Sequence, residues 1–518
     1  MMVAPVETDT CGADRWQAAT MAKPGSPDLR SRPVLLAVLC GAGLSLAGCD
    51  HLYRQEVAHQ RVEAFSIPAQ AAATRAVSGT ELGLDDFVEV VLQQNPELLG
   101  ARRQVEAAEA HISERRAALM PQVRLEAEAT ATDQRVRSTT NPSFASDQDQ
   151  TRRENYEATL TISQALLDGP ALADLRTAQA QLDGRMAELD DAEQTTIDTT
   201  LQLYLSVVEA HERYSLAQAE IRFFAYLAEE EDARVSAGEM RSARAVGTRA
   251  ELARARTAAV SAAQDFVSRR NELCRITMSQ ACPRVGAISI GGALPRPVPL
   301  SDTERMRIAD SPAQRALLSS LDVANREIDR AVSERLPRVT ARVEFERRRQ
   351  VGDTVFSASS DIEEARAGVY LDWLLFNNGR VTAARDRRVA EAQSAIERIR
   401  SERNVQLDQL ESADASLLAL WRNDAALREL VSLRREAVSQ ARRERDAGQL
   451  TDLAVRELEM ELARNQVGLS AVRRNYLLAL VARHRATGTL DEGVIDLIQR
   501  LTSAPRAPDS QIAAALRR

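Results

Sequence analysis

Few residues in this chain could do chemistry, and those few are not spaced to do it together. The five histidines, His51, His59, His111, His211 and His484, are scattered, with no His/Cys/carboxylate spacing suited to a metal. His211-Glu212 lacks a second histidine three residues on, so the zinc-protease string is missing, and no Gly-x-x-x-x-Gly-Lys-Ser/Thr phosphate loop occurs. Of the five cysteines, Cys11 and Cys40 lie in a leader, Cys49 closes an apolar run, and Cys274 and Cys282 remain. In an oxidising compartment Cys274 and Cys282 could close a small loop; two free buried thiols are the alternative. The sequence therefore points away from an enzyme and from any cofactor or metal.

The leader has its own grammar. From Met21, a better start than Met1, a charged stretch (Lys23, Arg30, Arg32) precedes an apolar run from Val34 to Leu46 and then Leu46-Ala47-Gly48-Cys49. That run is too short to span a bilayer in a mature protein. Leu-Ala-Gly-Cys in this place resembles the lipobox of bacterial lipoproteins, in which the cysteine is lipidated and becomes residue one. Residues 1–48 then form the signal peptide and 49–80 a lipidated linker; an ordinary signal peptide or an uncleaved anchor is the competing reading. Asp50 resembles the signal that retains some lipoproteins in the inner membrane, and the strand pattern below outweighs it.

Composition describes the elements that follow. Of 518 residues only 4% are aromatic, and Ala, Arg, Glu and Leu dominate, a usage that implies long, solvent-washed helices instead of one thick core. With 67 basic and 75 acidic residues the net charge is −8. No dense basic stripe interleaved with aromatics is present, which excludes nucleic acid as a partner.

The chain is an internal repeat. Asn95-Pro96 is followed 25 residues after its proline by Pro121, and Ser311-Pro312 by Pro337 at the same interval; each interval predicts one helix opened and closed by proline. Strict alternation comes next. Val123, Leu125, Ala127, Ala129 and Ala131 alternate with polar residues, as do Val339, Ala341, Val343 and Phe345, and alternation resumes at Tyr156–Ile162 and Ala365–Trp373. Each half thus predicts one β-hairpin, at 122–167 and 338–376. Leu167-Asp168-Gly169-Pro170 and Phe376-Asn377-Asn378-Gly379 are turns, after which very long helices run to Gly238 and Gly448. A shorter helix ends each half. The expected units are repeat 1 (81–281), a linker (282–300), repeat 2 (301–492) and a tail (493–518).

Strands with an apolar and a polar face over nine to eleven positions suit a transmembrane barrel, because lipid tolerates only a backbone whose hydrogen bonds close on themselves. Four strands cannot close, since the smallest such barrels need about eight. Dimers would give eight strands and trimers twelve, and arithmetic alone does not choose. Helices of roughly 100 Å are stable only if packed along their whole length, as in a tube.

Helix, hairpin, long helix, glycine and helix, all repeated, resemble the TolC family of outer-membrane efflux and secretion ducts across about residues 81–492. Local strings fall in that family's order: Asn95-Pro96-Glu97-Leu98, Leu336-Pro337, Leu371-Asp372-Trp373 through Gly379, Arg474-Asn475-Tyr476-Leu477, and Gly488-Thr489-Leu490. The resemblance implies an α+β membrane protein, a homotrimer whose twelve-stranded barrel, four strands from each protomer, continues into a periplasmic α-helical barrel. It implies outer-membrane lipid around it and, as partners, a periplasmic adaptor and an inner-membrane transporter. The expected function is a passive exit duct for small molecules such as drugs. A type I protein-secretion duct and a lipid-anchored periplasmic coiled-coil scaffold are the alternatives. The family's entrance is guarded by acids just past the last glycine turn; Asp452 and Glu457 are the candidates, while Ala454 departs from the pattern. The acidic run Glu229-Glu230-Glu231-Asp232 is read as a solvated face in preference to part of that entrance.

Overall fold

The computed structural model describes residues 83–135, 150–276, 287–288, 293–352 and 359–503. Cys49, Asp50 and Cys282 lie outside the described residues. In chain order the elements are α1 (Leu84–Gln94), α2 (Pro96–Ala117), β1 (Gln122–Arg135), β2 (Gln150–Leu167), α3 (Gly169–Ser236), α4 (Ser242–Cys274) and the short β3 (Ala287–Ile288). They continue with α5 (Asp302–Arg307), α6 (Pro312–Ser333), β4 (Arg338–Gly352), β5 (Ser360–Asp372), α7 (Arg380–Asp446), α8 (Asp452–Thr487), α9 (Glu492–Leu501) and β6 (Thr502–Ser503).

The punctuation of the sequence is visible in the caps. Asn95 accepts hydrogen bonds from the Glu97 and Leu98 amides ahead of Pro96, and Ser311 accepts one from Gln314 ahead of Pro312. Asp168 caps α3 through the Ala171 amide. At the far ends of the long helices Gly238 (φ +77°) and Gly448 (φ +73°) are left-handed. The following amides of Glu239 and Gln449 reach back to the Arg234 and Glu444 carbonyls, so the orphan C-terminal carbonyls are satisfied and the chain reverses.

Helices α3 and α7, 68 and 67 residues long, measure about 100 Å each. They organise a single layer four columns wide. Helices α2 and α4 pack on one side of α3, α6 and α8 lie between α3 and α7, and α7 forms the far edge. The strands repeat that order. The sheet runs β1-β2-β4-β5, antiparallel throughout, so each strand continues the helix column it is joined to. Pairing of β2 with β4, from Arg153↔Gly352 to Leu167↔Val339, fuses the two hairpins into one sheet. Strand pairing in the second hairpin stops at Asp372, and residues 373–379 form a turn in which the Trp373 indole donates to the Arg335 carbonyl (3.1 Å).

The columns are sutured by arginine–carboxylate pairs: Arg330–Asp174 and Arg315–Asp190 (3.0 Å) between α6 and α3, Arg388–Glu327 (3.3 Å) between α7 and α6, and Arg474–Glu209 (2.8 Å) between α8 and α3. The fully buried pair Arg473–Asp424 (2.7 Å) joins α8 to α7. Apolar burial concentrates halfway along the layer. There Phe87 and Val91 of α1, and Ile495 and Ile498 of α9, pack on Leu201, Tyr204 and Leu205 of α3 and on Tyr476, Leu477 and Val481 of α8. Elsewhere the helix seams are small, as in Ala245, Ala255, Ala259 and Ala263 of α4. Few aromatics are needed when backbones approach this closely.

Candidate functional site

The register gives the sheet two chemically opposite faces. On one, the row Val123–Ile162–Val343–Ala367 is followed by Leu125–Leu160–Phe345–Ala365. Each strand has open side chains on this face, Val123 67% exposed on β1, Tyr156 45% on β2, Phe345 48% on β4 and Val369 68% on β5, while Leu160, Ile162 and Val343 are half-buried. An apolar face so exposed on every strand is a surface for lipid or another chain. Tyr156 lies on this face, and beyond Phe345 it ends in charge, where Arg347 pairs with Asp361 and Glu363 (both 3.1 Å).

The apolar band is slanted. Val123 corresponds through the register to Ala367, four residues short of the stripe's lower end at Leu371. At the top, Ala131 corresponds through Glu154 and Val351 to position 359, six residues before Ala365. Five residues at roughly 3.3 Å, over three strand spacings of about 4.8 Å, give a slope on the order of 50°. A level membrane therefore meets strands tilted about as barrel strands are tilted. Strands β1 and β5 each have one unpaired edge.

The opposite face is ionic. Arg348 pairs with Glu157 (3.2 Å) and Glu346 (2.6 Å), Arg366 with Glu364 (2.5 Å) and Glu346 (3.8 Å), and Arg342 with Glu344 (3.6 Å). Such a face requires water. A sheet apolar outside and ionic inside can line an aqueous conduit once its edges are closed.

At the other end of the layer lie the glycine turns. Thr451 caps α8, so Asp452 is its first residue and Ala454 supplies the capped amide. Asp452 accepts hydrogen bonds from Arg456 (2.9 Å) and Arg445 (3.2 Å). The Arg456 guanidinium lies 3.9 Å from the centroid of the Tyr226 ring on α3. The hydrogen bond from Arg456, helped by those from Arg445 and Tyr226, holds the Asp452 carboxyl below the usual carboxylate range against the opposing effect of burial. Burial, and then Asp452 and Glu230 nearby, push the Tyr226 phenol up. This knot ties the α3–α4 hairpin to the α7–α8 hairpin. Glu457 stands apart from it, exposed on α8.

The acidic run is divided. Glu229 and Asp232 are exposed, Glu230 reaches towards Tyr226, and Glu231 is buried, where it accepts from Thr248 (2.5 Å) and Arg244 (3.0 Å) across the α3–α4 hairpin. Neither the solvated-face nor the entrance reading describes Glu231, which is a hairpin clasp. Tyr226 and Arg456 were not legible as site residues, because no spacing links positions 226 and 456. Cys274, the last residue of α4, is disulfide-bonded. Among the described residues no cluster of His, Cys, Asp or Glu could hold a metal ion, and no helix is long and apolar enough to cross a membrane.

A family model described as outer membrane efflux protein matches residues 87–277 and 306–489, most of the chain. Solved structures share the fold at low identity. A membrane protein from Pseudomonas aeruginosa is 19% identical, with 79% of this chain and 92% of that one covered, at a TM-score of 0.63. The Campylobacter jejuni CmeC outer membrane channel is 15% identical, with 81% and 89% covered, at 0.63. The open state of the Neisseria gonorrhoeae MtrE outer membrane channel is 19% identical, with 78% and 88% covered, at 0.61. No curated protein sequence matches this one.

Proposed function

The chain belongs to the outer membrane efflux protein family and is a protein of the outer membrane, and from that premise we propose that three copies close one twelve-stranded barrel continued by a helical tunnel. The duct is passive. It passes small molecules such as drugs to the exterior, received from an inner-membrane transporter through a periplasmic adaptor.

The observation that carries this reading is a four-stranded sheet, apolar on one face and ionic on the other, with an unpaired strand at each edge and a helix column below every strand. Joining β5 of one copy to β1 of the next satisfies both edges and sets the helix columns side by side. Three copies suit the inner face better than two. An eight-stranded barrel is just filled by its side chains, and the long arginines and glutamates of two such sheets would have no water there. The low side-chain volume of the helix seams likewise suits a hollow tube.

The Asp452–Arg456–Tyr226 knot lies where the tunnel begins, and it holds the entrance closed by tying two hairpins of one protomer; Glu457 lines the aperture beside it. Cys49 carries the lipid, and Cys274 bonds to Cys282, bracing the link between repeats.

The test combines assembly with transport. Detergent-extracted protein should migrate as a heat-modifiable trimer, and a strain lacking it should become sensitive to drugs or detergents. Unchanged tolerance with loss of secretion of a single protein would move the duct to the secretion class. A water-soluble monomer without β signal would leave only the tethered scaffold.

A further inference from the structure

The ionic face of the sheet is not a random mixture of charges. Taken through the register from the helix end outwards, its rows are Ser163–Arg342–Gly368, then Arg124–Thr161–Glu344–Arg366. Together these two rows hold three arginines against one glutamate. The next rows are Glu126–Thr159–Glu346–Glu364 and Glu128–Glu157–Arg348–Ile362, with five glutamates against one arginine; beyond them the register continues through the uncharged row Thr130–Asn155–Gln350–Ser360 to Thr132–Arg153–Gly352, which adds a single arginine. The wall of one sheet therefore changes from +2 to −4 over successive rows about 6.6 Å apart.

The ion pairs join the tiers without cancelling them. Arg366 of the basic tier bonds Glu364 and Glu346 of the acidic one, and Arg348 bonds Glu157 and Glu346 within it. Arg342 is held differently. Its guanidinium lies 5.0 Å from the centroid of the Tyr370 ring, and that ring covers Gly368, where a Cβ would sit 3.4 Å from it. The Tyr370 ring is thus an aromatic shelf that keeps an arginine against the inner wall. All four cations of the two tiers are arginines, whose charge persists at any working pH.

We propose that this wall is a two-tier charge filter, basic towards the tunnel and acidic towards the exterior, which makes the exit of the duct selective for cationic solutes. The inference rests on the duct reading above. In three copies the outer tier carries an excess of twelve negative charges, four from each sheet. The field of this tier extends about 10 Å into the lumen at 0.1 M salt, so mobile cations are concentrated along it and anions excluded. The basic tier on the inner side makes the profile asymmetric, so current depends on the sign of the applied voltage.

The full-length protein in planar bilayers under a KCl gradient provides the test. Wild type should favour K⁺ over Cl⁻ by about threefold or more near 0.1 M, with the preference fading at 1 M as the Debye length drops to about 3 Å. Glu126→Gln with Glu128→Gln should at least halve the preference, and Arg124→Gln should raise it. Thr159→Arg sets a cation between Glu126 and Glu346 without removing any ion pair, so it keeps the test open if the glutamine variants fail to assemble; it should lower the preference by about half as much as the glutamine pair does. Selectivity insensitive to Thr159→Arg and to the glutamine pair, or lost only in Glu457→Gln, overturns the filter. A protein that conducts no current even when the entrance knot is removed by Tyr226→Ala overturns the duct reading itself.

Discussion

Leu160 and Thr159 are adjacent on β2 and face opposite ways, so the same substitution at each isolates the assignment of faces. Leu160 sits in the row Leu125–Leu160–Phe345–Ala365, mid-band on its strand, and Thr159 sits between Glu126 and Glu346. Arginine at Leu160 meets hydrocarbon, which costs about 2–4 kcal/mol per chain near the bilayer midplane. Arginine at Thr159 enters water between two carboxylates and costs close to nothing. In the proposed trimer the penalty for Leu160→Arg is about 6–12 kcal/mol per barrel. The assay is the yield and urea resistance of heat-modifiable trimer in outer-membrane fractions. Leu160→Arg should abolish assembled trimer while Thr159→Arg assembles as wild type. Equal losses, or a greater loss for Thr159→Arg, would refute the assignment of lipid to the apolar face.

Further outcomes follow from single interactions. Asp424→Ala removes the buried carboxylate to which Arg473, 2% exposed, and Arg428 both bond in the α7–α8 seam and should cost about 3–5 kcal/mol in denaturant titration, whereas Asp424→Leu with Arg473→Met should recover most of it. Gly488→Ala places a Cβ 2.5 Å from Pro312 Cδ at a left-handed position (φ +66°), and a loss exceeding the roughly 1–2 kcal/mol of the backbone term alone should appear in the same titration. Tyr226→Ala or Arg456→Ala removes the cation–π contact of the entrance knot and should raise the open fraction of single channels several-fold, consistent with about 1 kcal/mol at a half-exposed site. The Asp452 carboxyl, lowered chiefly by Arg456, contributes stability that is complete above its unfolded value near 3.9 and is lost as pH falls through its lower folded value. Channel opening should therefore rise below about pH 4 and stay flat between about pH 5 and 8.

The elements were legible because each is marked by residue type. Asn95-Pro96 and Ser311-Pro312 cap and open helices, Gly238 and Gly448 supply the left-handed turns, and alternation from Val123 and Val339 gives the strands. What no local pattern carries is adjacency. That β2 pairs β4, so that Leu160 lies beside Phe345, depends on a register across nearly two hundred residues. The knot of Tyr226 with Arg456 and the pair Arg473–Asp424 belong to the same class, since any arginine on these helices could meet any carboxylate. Trp373 continues the apolar alternation of β5 and Leu374-Leu375-Phe376 extend it as an unbroken apolar run, but all four leave the sheet. The Asn377-Asn378-Gly379 turn, with positive φ at Asn378 and Gly379, has to begin before the alternation ends.

The order of the columns constrains how such a protein reaches the membrane. One copy has two unpaired strand edges, and lipid would leave each edge with unsatisfied backbone groups at several kcal/mol apiece. A single sheet therefore gains nothing by inserting alone. The helix columns have no such penalty in water, because their backbone bonds are internal and their seams are small apolar residues tied by arginine–carboxylate pairs. Arginine fits this role, since its planar fork holds a carboxylate at fixed geometry where lysine would swivel, and the chain has a single lysine, Lys23. The columns thus fix the positions of β1, β2, β4 and β5 within each copy before any strand meets lipid. In the proposed ring, closure through β5 and β1 removes the last edges, so insertion and association of the copies become one event.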